Sequence, residues 1–143
     1  MQQQVQMGQA AADAQAVLAN AQMTSPNMNV EAIKNGTWQL NAVGNMTYRP
    51  LGGVPVVGWA KIEDNGIARM YYFNGNGEML EGWQAIGGKV YFFIKSGFKA
   101  YAATGVVNIG GLELYFDETT CELSQENSAE VLGQVSLLLG GGR

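Results

Sequence analysis

Two stretches of the chain are near-copies of each other, GWQAIGGKVYFF from Gly82 and GVVNIGGLELYF from Gly105. Each consists of a short apolar segment, a glycine turn and an aromatic segment, which is the pattern of a β-hairpin. A third copy begins at Gly58, and a degenerate fourth copy begins near Trp38. Units that repeat at a short period usually bury their apolar faces only against neighbouring units, so the sequence predicts serially stacked hairpins over residues 37–124.

Residue spacing supports this alignment of the copies. Ten residues separate Trp83 from Phe93, and ten separate Trp38 from Tyr48. The copy that contains Trp59 is four residues longer, and we attribute the extra length to an enlarged turn at EDNGIA. Glycine-containing loops such as NGNGEML and IKSGFKA are expected to lead from one hairpin to the next.

Alternate residues of a strand face opposite sides, which predicts two faces for each aromatic strand. Tyr71 and Phe73 are expected to point one way and Tyr72 the other, and the following copy repeats this arrangement. We expect the last aromatic residue of each copy to lie in the core, because aromatic side chains are commonly buried. These residues are Tyr48, Phe73, Phe93 and Phe116.

Composition excludes several classes of function. The 143-residue chain contains no histidine, which excludes Ser-His-Asp and Cys-His catalysis and histidine-based metal sites. A single cysteine, Cys121, cannot form an intrachain disulfide. The formal net charge is −4 and the basic residues are scattered, so no nucleic-acid partner is expected. We predict no catalytic residues, no metal site and no cofactor.

Composition also divides the chain into three segments: an N-terminal packing segment (1–36), the repeats (37–124) and a C-terminal packing segment (125–143). Spacings of three and four residues predict an N-terminal helix with one Ala-rich stripe, which either docks on its own chain or mediates assembly. The stripe comprises Met7, Ala10, Ala14, Val17 and Ala21. A turn at Ser25-Pro26 and at most a short helix ending at Gly36 should follow.

The C-terminal segment carries a second apolar stripe. Ser128 can cap a short helix that ends at Gly140, with an edge strand through QVSLLL as the alternative. The shared face would contain Val131, Leu132, Val135, Leu138 and Leu139. The N-terminus lacks a basic region and a continuous apolar run, so neither a signal peptide nor a membrane span is expected, and synthesis is expected in a cytoplasm.

The pattern GWxxIGGKxYFF…GExLxGW resembles the cell-wall-binding repeats of choline-binding proteins, the glucan-binding repeats of streptococcal glucosyltransferases and the repeats of large clostridial toxins. The resemblance covers roughly sixty percent of the chain. It implies a mainly β fold, a short β-solenoid of hairpins that binds carbohydrate or choline-decorated polymers at the junctions between units. With the terminal segments, the expected fold class is a β-hairpin solenoid with an N-terminal helical segment and a short C-terminal helix.

The resemblance also implies which residues bind the ligand. Aromatic boxes attract quaternary ammonium groups, and flat rings stack on sugars. The candidates are Trp59, Tyr71, Tyr72, Met79, Trp83, Tyr91 and Phe92. Choline-binding repeats carry a Trp before the paired aromatic residues, where this chain has Met70, Val90 and Glu113. These departures favour a sugar polymer over choline.

The sequence therefore predicts a non-enzymatic module that binds a bacterial cell-wall or surface glycan. We expect it to form a homo-oligomer or to be a subunit of a larger assembly such as a phage virion or tail, located on the virion or the bacterial surface. The alternative is a purely structural scaffold without a small ligand. The wall-binding tail of a lysin is a third interpretation.

Overall fold

The computed structural model describes residues 23–124, which form a serial chain of antiparallel strands. The predicted stripe from Met7 to Ala21 and the segment 125–143 lie outside the described residues. The strands are β1 (Gly36–Leu40), β2 (Met46–Pro50), β3 (Gly58–Asp64), β4 (Ile67–Phe73), β5 (Gly82–Ile86), β6 (Lys89–Ser96), β7 (Lys99–Ala102), β8 (Gly105–Ile109) and β9 (Leu112–Phe116).

The expected mainly β fold is confirmed for this part of the chain. Between residues 23 and 124 there is no helix, and hence none of the length and hydrophobicity that crossing a membrane requires. The strands form four sheets, β1-β2, β3-β4, β5-β6-β7 and β8-β9, and each pairing joins neighbours in sequence. We refer to β1-β2, β3-β4, β5-β6 and β8-β9 as hairpins 1 to 4.

The register of the hairpins identifies equivalent positions. Across each hairpin the first-strand residue of the aromatic motif faces a partner on the second strand; the pairs are Trp38–Tyr48, Trp59–Tyr72, Trp83–Phe92 and Val106–Tyr115. After each hairpin, a backbone N–H of the connection donates to the carbonyl of that partner; the donors are Val56, Leu80, Ala103 and Ser124. Tyr48 is therefore equivalent to Phe92, and the sequence alignment of Tyr48 with Phe93 was off by one position because hairpin 1 has a different turn length.

The longer copy differs from the prediction. Strands β3 and β4 have seven residues each and are joined by a two-residue turn at Asn65 and Gly66, with φ values of 52° and 82°. An Asn-Gly pair with two positive φ values favours a type I′ turn, whose twist matches that of the flanking strands. The additional residues lengthen the strands, and the expected enlargement of the turn was wrong.

The segment IKSGFKA is likewise not a loop. Strand β6 continues to Ser96, the chain turns at Gly97 (φ 63°), and β7 pairs back onto β6. Ala100 and Ala102 of β7 are buried, and their small side chains fit against the adjacent hairpin. The glycine marked the turn correctly, but the sequence prediction missed the third strand of this sheet.

The segment before β1 bends at Thr24 and Ser25, turns at Met28 and Asn29, and then runs alongside β3. Ile33 forms a parallel bridge with Ile62, in which its N–H donates to Lys61 O at 2.8 Å and its carbonyl accepts from Glu63 N at 2.9 Å. The Lys61 ammonium donates to the carbonyls of Met28 and Val30. The short helix predicted before Gly36 is absent because these backbone groups pair with the edge of β3.

The core consists of three clusters, one at each contact between successive hairpins. Their centres are Tyr48, Tyr71 and Phe73; then Trp59, Tyr91 and Phe93; then Leu114, Phe116 and Leu123. The aromatic residues expected in the core are buried, with exposed fractions of 1% or less for Tyr48, Phe73, Phe93 and Phe116. Each inner hairpin therefore contributes both of its faces to the core.

The turn of hairpin 2 provides a stability test. Gly66 has a left-handed backbone, which an L side chain adopts only at a cost of about 1–2 kcal/mol. Gly66→Ala is expected to lower the free energy of unfolding by that amount in urea denaturation. Gly75→Ala is the matched control, because Gly75 has no positive φ and open space around its Cα. Equal effects of the two substitutions would contradict the turn assignment.

Candidate functional site

An aromatic cluster joins hairpin 2 to hairpin 3. The ring of Trp59 lies 4.8 Å from that of its own partner Tyr72, 4.7 Å from Tyr91 and 5.8 Å from Phe93, measured between centroids. The first two pairs are edge-to-face, an arrangement that adds about 0.5–1.5 kcal/mol to ordinary burial. Trp59 thus joins the face of hairpin 2 that carries Tyr72 to the face of hairpin 3 that carries Tyr91 and Phe93.

The same arrangement occurs at the preceding junction. Trp38 contacts its partner Tyr48 at 4.8 Å, and it contacts Tyr71 and Phe73 of hairpin 2 at 5.0 and 6.1 Å. The positions of Tyr71 and Phe73 correspond to those of Tyr91 and Phe93 one hairpin later. Alternation along β4 places both residues on one face, as predicted.

The junction between hairpins 3 and 4 is a reduced version. The ring centroid of Trp83 lies 4.9 Å from that of Phe92 and 6.1 Å from that of Phe116. Leu114 occupies the position that Tyr71 and Tyr91 hold at the two earlier junctions. The final hairpin has Val106 in place of the tryptophan, and this side chain is 65% exposed. The series of junctions therefore ends here among the described residues.

The predicted site residues fall into two groups. Trp59, Tyr71 and Tyr91 are each 2% exposed and lie within the junctions. The second group is only partly buried and consists of Tyr72, Met79, Trp83 and Phe92. The ligand-binding role of the seven residues remains a prediction.

Met79 lies where two junctions meet. It packs against the clusters on both sides of hairpin 2, and its sulfur accepts a hydrogen bond from Ala100 N at 3.2 Å. Its backbone N–H donates to Met46 O, which ties the connection after hairpin 2 back to hairpin 1. Met79 thus has a packing role, in addition to the predicted place in an apolar wall.

The buried tyrosines are neutral at ordinary pH. Burial, assisted by the nearby Glu122 carboxylate, raises the pKa of Tyr91 to about 12. Burial and then Asp64 raise the pKa of Tyr71 to about 12 as well. The hydroxyl groups of these two tyrosines therefore carry no charge, and their rings pack inside the junctions.

The positions where choline-binding repeats carry a second tryptophan do not complete an aromatic box here. Met70 is 1% exposed and belongs to the cluster around Trp59. Val90 and Trp83 pack against the same core cluster, and Glu113 is exposed. The junctions are thus packed more with aliphatic side chains than the resemblance implied.

The sequence prediction omitted Trp38 from the site, although it holds the same repeat position as Trp59 and Trp83. This tryptophan is partly exposed, and its indole N–H donates to both oxygens of the Asp64 carboxylate at 3.1 Å. Equivalence of position was the signal that could have identified it. Within residues 23–124 no group of acidic or cysteine side chains could hold a metal ion.

Comparison with known proteins identifies the fold. No protein-family model matches the chain, and no curated protein matches it. A crystal structure of choline binding protein F from Streptococcus pneumoniae is similar, with 27% identity and a TM-score of 0.51 over 66% of this chain and 32% of that one. The same protein in the presence of a peptidoglycan analogue matches with 23% identity and a TM-score of 0.51 over 67% and 28%.

The described hairpins are thus, in fold, those of the choline-binding repeat superfamily, and the predicted resemblance is confirmed. The chain spans about a third of the length of the choline binding protein that it matches. The hairpins of this chain contain fewer aromatic residues than choline-binding repeats, because Met70, Val90 and Glu113 stand where those repeats carry a tryptophan.

Substitution of the equivalent tryptophans separates core from surface. Trp59→Ala is expected to lower the free energy of unfolding by about 3–5 kcal/mol, because it would leave a cavity at a buried junction. Trp83→Ala should cost less, since its side chain is only partly buried. Val106→Ala, at the same repeat position but exposed, is the control and should change stability by less than about 0.5 kcal/mol. Chemical denaturation measures all three, and a small effect at Trp59 would contradict its assignment to the core.

Proposed function

We propose that this chain is a non-catalytic module that binds a polymer of the bacterial cell wall. The proposal is supported by the repeated aromatic junctions together with the similarity to choline binding protein F. A ligand that tracks along the solenoid would meet the partly exposed rings of Tyr72, Trp83 and Phe92, and several weak contacts add up by multivalency.

The junction of hairpins 3 and 4 is the best candidate for contact with the ligand. Trp83 and Phe92 are partly exposed and meet edge to face at 4.9 Å. Leu114 replaces the aromatic residue found at the earlier junctions, which leaves the ring of Trp83 less enclosed than that of Trp59. Tyr72 and Met79 are the partly buried candidates at the preceding junction, and Trp59, Tyr71 and Tyr91 lie buried inside the first two junctions.

A glycan is the favoured ligand, and a choline-decorated polymer is the alternative. A quaternary ammonium needs several ring faces around one point, and Val90 and Glu113 supply none at this junction. Stacking on a sugar needs only one exposed ring, and Trp83 is the partly exposed tryptophan at this junction. Choline is kept as the alternative ligand because a similar structure is that of choline binding protein F.

The assembly that carries the module is inferred from sequence. We propose a homo-oligomer or a subunit of a larger particle such as a phage virion, with the repeats on its surface, because the sequence predicts a close-packing helix face for the stripe from Met7 to Ala21. The scaffold alternative is favoured by one observation, the burial of Trp59, Tyr71 and Tyr91 within the junctions.

Sedimentation with purified Gram-positive cell walls, with and without competing choline, tests the proposal. The parent protein should bind, and Trp83→Ala should weaken binding by about 5- to 30-fold, the equivalent of 1–2 kcal/mol from a lost ring contact. Val106→Ala is the matched control and should bind like the parent. Competition by choline would assign a choline-decorated ligand, and its absence a glycan. A folded parent protein that binds no wall preparation would leave the scaffold function.

A further inference from the structure

The longer strands of hairpin 2 and the additional strand β7 are two departures from the basic repeat, and they lie next to each other. Hairpin 2 is lengthened relative to hairpins 3 and 4, and β7 adds a third strand to the sheet of hairpin 3. Strand β7 lies against β4, so the turn before β7 faces the turn of hairpin 2. Between the two turns is an open cleft of about 240 Å³.

The cleft is lined by charged and apolar groups together. The main contributors are Asp64, Ile67, Arg69, Tyr71, Phe98 and Lys99. Two cations and one carboxylate give the cleft a positive net charge, although the whole chain has a formal net charge of −4. A small anionic group is therefore the charge complement of this cleft.

The carboxylate in the cleft is already occupied. Both oxygens of Asp64 accept from the Trp38 indole N–H, and Lys99 Nζ lies 3.2 Å from Asp64 Oδ2. The same ammonium lies 5.2 Å from the centroid of the Trp38 ring. These contacts hold Asp64 and Lys99 in place, and the Lys99 ammonium balances the negative charge of Asp64.

Arg69 differs from Lys99 in its surroundings. Among residues 23–124 it forms no ion pair with a carboxylate, and its guanidinium lies 3.9 Å from the centroid of the Tyr101 ring. Stacking on a ring fixes the guanidinium plane while its N–H groups stay available, and this planar fork matches an oxyanion. The Arg69 guanidinium is thus held in place by Tyr101 and can donate hydrogen bonds to an anionic ligand.

The rim of the cleft is apolar. Phe98 and Ile67 are 74% and 54% exposed, an unusual state for large apolar side chains that flank one opening. A flat ring beside hydrogen-bonding groups is the combination that stacks on a sugar. The cleft is smaller than the roughly 300–1,000 Å³ typical of sites for drug-sized ligands, which suits a single sugar residue.

We propose that this cleft binds a saccharide that carries one oxyanion, a carboxylate or a phosphate. Arg69 contacts the oxyanion, Lys99 adds positive charge, and Phe98 packs on the sugar ring. The site is distinct from the junction at Trp83 and does not rest on the proposed wall binding, so either can fail alone.

Calorimetric titration of the full chain with three free sugars tests the proposal. Glucuronic acid and glucose 6-phosphate are the anionic probes and distinguish the two oxyanions, and glucose is the neutral control. At least one anionic probe should bind at one site per chain, at least about tenfold more tightly than glucose, as a charge-assisted hydrogen bond predicts. Equal affinity for glucose, or no binding of either anion, would overturn the proposal.

Two substitutions with opposite expected effects identify the contacts. Arg69→Gln should weaken anion binding by about tenfold or more, and Asp64→Asn should strengthen it because it releases Lys99. Arg49→Gln makes the same charge change on an exposed part of hairpin 1 and should leave the affinity unchanged. If Arg69→Gln fails to fold, the sign of the Asp64→Asn effect decides, and weaker binding in that variant would contradict the assignment.

Discussion

The contact of one tryptophan with the alternate aromatic residues of the next hairpin is the interaction on which the solenoid depends. A two-stranded hairpin is only marginally stable alone in water, so each hairpin needs a neighbour on its apolar face. Trp59 provides that contact by lying between its own partner Tyr72 and the inward rings of Tyr91 and Phe93. Because every inner hairpin has such a face on both sides, the repeats fold as a stack and not as independent units.

The same principle explains why the two end hairpins depart from the motif. The face of hairpin 1 turned away from hairpin 2 carries the exposed Thr37 and Arg49. The face of hairpin 4 turned away from hairpin 3 carries the exposed Asn108 and Glu113 beside Val106 and Tyr115, which are 65% and 40% exposed. Terminal repeats commonly have a polar outer face, which keeps a stack soluble. In the sequence Glu113 is a departure from the choline-binding motif, whereas in the structure it lies on a face against which no further described hairpin packs.

Repeat spacing and alternation predicted most of the fold. They identified the serial hairpins and the burial of Phe73 and Phe93, because a period of two residues fixes which side chains face the core. They did not predict β7 or the lengthened hairpin 2, since strand length and turn type depend on pairing with another segment. Nor did they predict that Trp59 is buried while Trp83 is partly exposed, because burial depends on the neighbouring hairpin, where Leu114 replaces a tyrosine.

A double-mutant cycle between Trp59 and Tyr91 most directly tests whether neighbouring hairpins stabilise each other through these rings. Urea unfolding of Trp59→Leu, Tyr91→Leu and the double variant should give a coupling energy of about 0.5–1.5 kcal/mol. A cycle between Tyr48 and Phe116, which belong to different core clusters, should be additive within about 0.5 kcal/mol. Additivity of Trp59 and Tyr91 would contradict the account, because it would mean that the junction contributes no specific contact between the hairpins.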